Sequence, residues 1–170
     1  AQDAMPSRSE VIDIPGNVGL SPHDRAERTK QVYDPFCQAV SDVIARRQAA
    51  SLPTVLITVH SFTPIYFGQP RAVEIGILND TDSRMADLML QHAPLLDHRR
   101  VERNAPYGPE DGVTHSLKRH GLGNGLANVM IEVRNDLVTS PQQEHAMARD
   151  LLAMIQPALD ALLSGAPDNA

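Results

Sequence analysis

Apolar residues in this chain gather into three short runs, separated by stretches whose apolar positions recur at helical spacing. Thr54 to Val59 reads Thr-Val-Leu-Ile-Thr-Val, brief, β-branched and largely apolar, the pattern of a strand buried on both faces. Val73 to Leu78 predicts a second strand and Ala127 to Val133 a third. After a turn at Pro15-Gly16-Asn17, Ser21-Pro22 supplies a cap and a first-turn proline for a polar helix running towards Arg47. Pro35 should kink or break that helix near Asp34. Asp82-Ser83 caps a helix carrying Met85, Leu88, Met89 and His92 on one stripe. Ser140-Pro141 with Gln143 opens a last helix towards Leu163, bent at Pro157. The prolines and glycines of Phe62 to Pro70 and of Asn104 to Gly112 require loops; an extended piece lies near Val101 and a short helix or turn near Thr114 to Arg119. The polar ends, Ala1 to Arg8 and Ser164 to Ala170, should fray.

Strands alternating with helices at this spacing imply an α/β protein with a mixed, mostly parallel sheet flanked by helices. Ligands in such sheets sit beyond the strand carboxyl ends, which places His60, Asn79 and Arg134 near one edge. The 170 residues, 42% hydrophobic, fit a single domain over 1–170 with one core. Fifteen basic against twenty-one acidic residues, with no long run of either sign, argues against a nucleic-acid partner. No stretch approaches eighteen apolar residues, so no membrane span is expected. A single cysteine, Cys37, excludes an internal disulfide framework and a thiolate metal cluster. It fits a reducing compartment, and the expected location is the cytoplasm. Cys37 itself reads as a small buried side chain.

Candidate chemistry concentrates where strands end. Alternation puts Leu56, Thr58 and His60 on one face of the first strand, so His60 is its last side chain and is placed to ligate a metal; a histidine hydrogen-bonded at a strand end is the alternative. Glu132 lies inside the apolar run Val129-Met130-Ile131-Glu132-Val133, where an unpartnered carboxylate is expensive to bury. Either it forms a buried ion pair with Arg134, two residues on and on the same face, or it moves protons at a reacting centre, for which a raised pKa suits it. Arg134 or Arg71 would then clamp a substrate carboxylate. His115 and His120, five apart, lack the spacing that sets two ligands on one helical face, and read as surface or supporting residues. His23, His92, His98 and His145 read as ordinary helix or turn residues, and Gly121 to Gly125 precedes a strand, unlike a phosphate loop.

Six stretches, in order, resemble the N-formylglutamate amidohydrolase family: Ile14-Pro15-Gly16-Asn17, Tyr33-Asp34-Pro35-Phe36, His60-Ser61-Phe62-Thr63-Pro64, Arg71 to Leu78, Asn104-Ala105-Pro106-Tyr107, and Ile131-Glu132-Val133-Arg134-Asn135-Asp136-Leu137. The resemblance implies a fold like that of zinc carboxypeptidases and phosphorylase/hydrolase-like proteins, with His60 as a ligand of Zn2+ and Glu132 as general acid/base. Arg71, Asn104, Tyr107 and Arg134 match positions that line the family's substrate pocket. The implied reaction is hydrolysis of the amide of an N-acyl amino acid such as N-formylglutamate, a step of amino-acid catabolism on a small-molecule substrate. Family members carry an additional N-terminal portion with further metal ligands, and Cys37 stands where the family often has histidine. The expectation is therefore a chain corresponding to the C-terminal two thirds of an amidohydrolase-like domain, incomplete at its N-terminus, which alone binds zinc weakly and turns over little. A non-catalytic domain of the same fold, binding a small anion through Arg71 and Arg134 or serving as a scaffold, is the alternative.

Overall fold

The structure, a computed structural model, describes residues 5–164; apart from residues 5–8 and 164, the fraying expected of the two ends lies outside the described residues. The chain forms two compact units, Ala1–Leu52 with Tyr66–Gln69, and Pro53–Ile65 with Pro70–Ala170.

The first unit begins with a small antiparallel hairpin of β1 (Arg8–Ser9) and β2 (Ile12–Asp13), followed by a tight 3-10 turn at Pro15–Asn17. Arg28 donates to the Asn17 side chain (2.7 Å) and to the Gly16 carbonyl (2.6 Å), which ties that turn to helix α1 (Pro22–Arg28). Ser21 and Asp24 close a reciprocal capping box: the Asp24 N–H donates to Ser21 Oγ and the Ser21 N–H to Asp24 Oδ2, satisfying two otherwise orphaned donors. The expected disturbance at Pro35 takes the form of a π-helical turn, Thr29–Tyr33, ahead of α2 (Asp34–Ala49). A proline ring collides with the carbonyl four residues back, and here the Asp34 N–H reaches the Thr29 carbonyl five residues back, widening the helix where the ring enters. Cys37 and Ile44 are the buried residues of α2, as expected for Cys37.

The second unit is built on a four-stranded sheet of β3 (Leu56–Phe62), β6 (Ile75–Leu78), β7 (Val101–Arg103) and β8 (Asn128–Arg134), in the order β3-β8-β6-β7. Between β3 and β6 the chain makes a minimal hairpin, β4 (Ile65–Tyr66) and β5 (Gln69–Pro70), where a loop was expected. Two pairings are parallel, β3 with β8 and β6 with β7, and β6 runs antiparallel to β8, giving the mixed, mostly parallel sheet anticipated from the alternation of elements. β3 is an edge strand. Its second half, Val59 to Ser61, is exposed, so the expectation of a strand buried on both faces is corrected. The strand also runs on to Phe62, so His60 sits two residues short of its end.

Period-two alternation sorts the sheet into two faces. Ile75, Ile77, Val129, Ile131 and Val133 pack with Met85, Ala86 and Met89 of α3 (Arg84–His92) and with Met147, Met154 and Ala158 of α4 (Pro141–Ser164), forming the main core. The other face carries Leu78 and Met130, covered by Leu117, Tyr107 and Val113. Leu117 opens a second π-helical turn, Leu117–Gly121, which packs on β8 and β3. No helix among the described residues is long and apolar enough to cross a membrane.

Candidate active site

The site grows from one row of the sheet. His60 on β3 is registered with Glu132 on β8, and Glu132 with Gly76 on β6, so all three project from the face opposite the main core. Gly76 contributes an absence: a Cβ there would stand 1.9 Å from the Ala105 carbonyl oxygen and 3.1 Å from its carbon, so only glycine lets the loop after β7 lie against the sheet. That loop brings Tyr107 beside the row. The neighbouring row is Phe62 on β3 with Arg134 on β8.

Glu132 is 4% exposed and its Oε2 has no hydrogen-bond partner. Burial disfavours the charged form and pushes its pKa up to about 7, against a smaller opposing pull from the Arg71 cation. A carboxyl held near neutrality in this way is suited to take and return a proton at physiological pH. His60, by contrast, is exposed on the edge strand. Arg71 lies over two rings, its guanidinium carbon 4.9 Å from the centroid of Tyr107 and 5.6 Å from that of Phe62, with Nη1 donating to the Thr63 carbonyl at 3.3 Å. These two cation–ring contacts hold the guanidinium where its charge influences Glu132.

Arg134 and Glu132 do not form the ion pair that their spacing allowed. Arg134 Nε donates to Asp136 (2.8 Å), Nη1 to the Arg71 carbonyl (3.0 Å), and Nη2 stands 3.7 Å from Glu74. Asn79 is also displaced from its expected place. Because β6 runs antiparallel to β8, its C-terminal end lies beside Met130 and the start of β8, at the edge opposite Arg134. There the Asn79 N–H donates to Asn104 Oδ1 (2.9 Å), and its own Oδ1 accepts from Arg103 (2.9 Å). Asn104, in the left-handed region with φ 46, thus shapes the start of the Tyr107 loop. His60, Glu132, Arg71 and Tyr107 are brought to one face; Arg134 stands in the next row with its donors turned to the 71–74 segment, and Asn104 lies at the far edge. His120 is buried at 3% exposure under its π-turn, contrary to the surface reading, and burial lowers its pKa. Gly76 and Phe62 were not singled out from the sequence; a glycine inside an apolar strand was the available signal for the first.

The fold and site define an α/β protein with a buried, near-neutral carboxyl on one face of a mixed sheet. The chain belongs to the N-formylglutamate amidohydrolase family, whose model matches residues 1–139. A solved gene product from Agrobacterium tumefaciens is 51% identical over 95% of this chain and 64% of its own, with a TM-score of 0.91. An N-formylglutamate amidohydrolase from Ralstonia eutropha is similar in fold, with 20% identity, a TM-score of 0.60, and coverage of 83% of this chain and 55% of its own. The chain therefore spans less than two thirds of the length of either solved relative. No curated protein matches the chain.

Proposed function

We propose that the protein hydrolyses the amide bond of a small N-acyl amino acid of the N-formylglutamate kind, with Glu132 as the group that moves the proton. The buried Glu132 carboxyl, its Oε2 without a hydrogen-bond partner and its pKa near 7, registered with His60 on the same face, supports this reading. Glu132 takes a proton from a water whose oxygen bonds to the acyl carbon. When the carbon–nitrogen bond breaks, Glu132 returns the proton to the leaving nitrogen, and the products are the free acid, formate for a formyl group, and the amino acid. Arg71, stacked on Tyr107, takes the substrate carboxylate by charge-assisted hydrogen bonds.

Zinc enters the proposal at His60, whose imidazole would be one ligand. A bound zinc would supply Lewis-acid polarisation and a more acidic water. Catalytic zinc sites usually take three protein ligands, and among the described residues no three of His, Cys, Asp and Glu come together. These residues therefore do not fit a complete zinc site.

Formate release from N-formylglutamate by the wild-type protein and by Glu132→Gln tests the reading. Turnover that depends on Glu132 is expected. Unchanged turnover in the variant would remove Glu132 from the chemistry, whereas binding of glutarate by the wild type without turnover of any N-acyl amino acid would favour a non-catalytic anion-binding module.

A further inference from the structure

Arg134 occupies the row next to Glu132, yet its donors turn towards the chain rather than towards the site. Besides the Arg71 carbonyl at 3.0 Å, Nη1 stands 3.5 Å from the carbonyls of Ala72 and Val73, so three consecutive carbonyls converge on one guanidinium. Residues 71–73 precede β6 and lie outside any strand, whereas Glu74 already exchanges backbone hydrogen bonds with Arg100 and Arg134. We propose that Arg134 is a positioning residue that acts through Arg71: by gathering these carbonyls it sets the backbone from which the Arg71 side chain reaches Phe62 and Tyr107.

The surroundings make Arg134 a rigid post for this task. Its side chain is only 17% exposed, Asp136 holds Nε at 2.8 Å, Glu74 stands 3.7 Å from Nη2, and its backbone N–H donates to the Glu74 carbonyl at 2.9 Å. The Arg71 N–H in turn donates to the Pro64 carbonyl at 2.8 Å, so the segment is gripped at both ends. A planar guanidinium presents several donors in one fixed fork, whereas a lysine ammonium is a single charge on a flexible stem. Lysine at 134 therefore keeps the charge and loses the geometry. The functional consequence rests on the reading of Arg71 as the group that takes the substrate carboxylate.

The test uses side-chain NMR of labelled arginine with steady-state kinetics on N-formylglutamate. Ring currents from Tyr107 and Phe62 displace the Arg71 side-chain resonances, which are assigned by their loss in Arg71→Lys. In Arg134→Gln the displacement is expected to collapse towards that of an exposed arginine, with KM raised about tenfold or more and kcat changed less, the pattern of lost ground-state binding. Arg134→Lys should lose part of the displacement. If the glutamine variant does not fold, the lysine variant decides. An undisturbed Arg71 signature in whichever folded variant is measured, even beside a raised KM, overturns the positioning role. A collapsed signature with unchanged KM upholds it and overturns instead the assignment of Arg71 to the substrate carboxylate.

Discussion

His60 and Glu132 stand opposite one another in the parallel register of β3 and β8, the imidazole exposed on the edge strand and the carboxyl 4% exposed on the strand beside it. The two groups share a face and differ in hydration, so their removal has different consequences for the fold. His60→Ala deletes an exposed side chain and is expected to change unfolding free energy by no more than about 0.5 kcal/mol. Loss of N-acyl amino acid hydrolysis in a variant this stable, checked by denaturant unfolding beside a formate-release assay, assigns His60 to function. A collapse of stability would assign it to the fold.

Glu132 gives stability a defined pH dependence. Its folded pKa, about 7, lies above the ordinary value of 4.5, so between these values the folded chain holds a proton that the unfolded chain has released. Stability therefore falls as pH rises through that window, by an amount on the order of 3 kcal/mol. Glu132→Gln removes the titration, so urea unfolding at intervals from pH 4 to 8 should show the wild type losing stability relative to the variant. Parallel curves would mean that the carboxyl is not destabilised by burial.

Gly76 is predicted to tolerate no side chain. Alanine would place its Cβ 1.9 Å from the Ala105 oxygen, a backbone atom that cannot swing aside as a side-chain tip can. Overpacking of this kind costs about 1 to 3 kcal/mol, and more where backbone must move. Gly76→Ala should show a lowered unfolding midpoint and a displaced Tyr107 ring, read from its NMR resonances. A wild-type midpoint would contradict the close approach.

Arg99 donates to Asp150 of α4 at 2.8 Å, with both side chains less than a fifth exposed, and stands 4.0 Å from Glu74. Arg99→Ala takes from the partly buried Asp150 carboxylate its near guanidinium, while Glu74 keeps Arg134 at 3.7 Å. We expect a loss of about 1 to 3 kcal/mol in unfolding free energy, less than for a fully buried pair because water still reaches the site. Asp150→Asn in the same background should add little, and additive losses would rule out a shared interaction.

What the sequence conveyed about this fold divides along physical lines. The strands were legible because β-branched apolar runs are local, and Glu132 stood out because a carboxylate inside such a run needs an environmental explanation. The direction of β6 was not legible. Antiparallel pairing with β8 depends on which strands become neighbours, and it moved Asn79 to the edge away from Arg134. Exposure of Val59 to Ser61 escaped for the same reason, since an apolar run does not disclose whether its strand lies at the edge of a sheet. Arg71 and Tyr107 meet across thirty-five intervening residues, and nothing near either one signals the stack. Arg134 shows the limit most clearly: spacing put it on the face of Glu132, but spacing could not tell that its donors would be taken up by Asp136 and by carbonyls sixty residues away.

If Glu132 moves the proton in amide hydrolysis, the pH profile of kcat/KM for N-formylglutamate must differ between wild type and Glu132→Gln. The base form of Glu132 accumulates above its pKa, so wild-type activity should rise through pH about 7. The variant should lose about 10²- to 10⁴-fold in rate together with that rising limb. A variant that keeps the limb and works within a few-fold of the wild-type rate would contradict the claim.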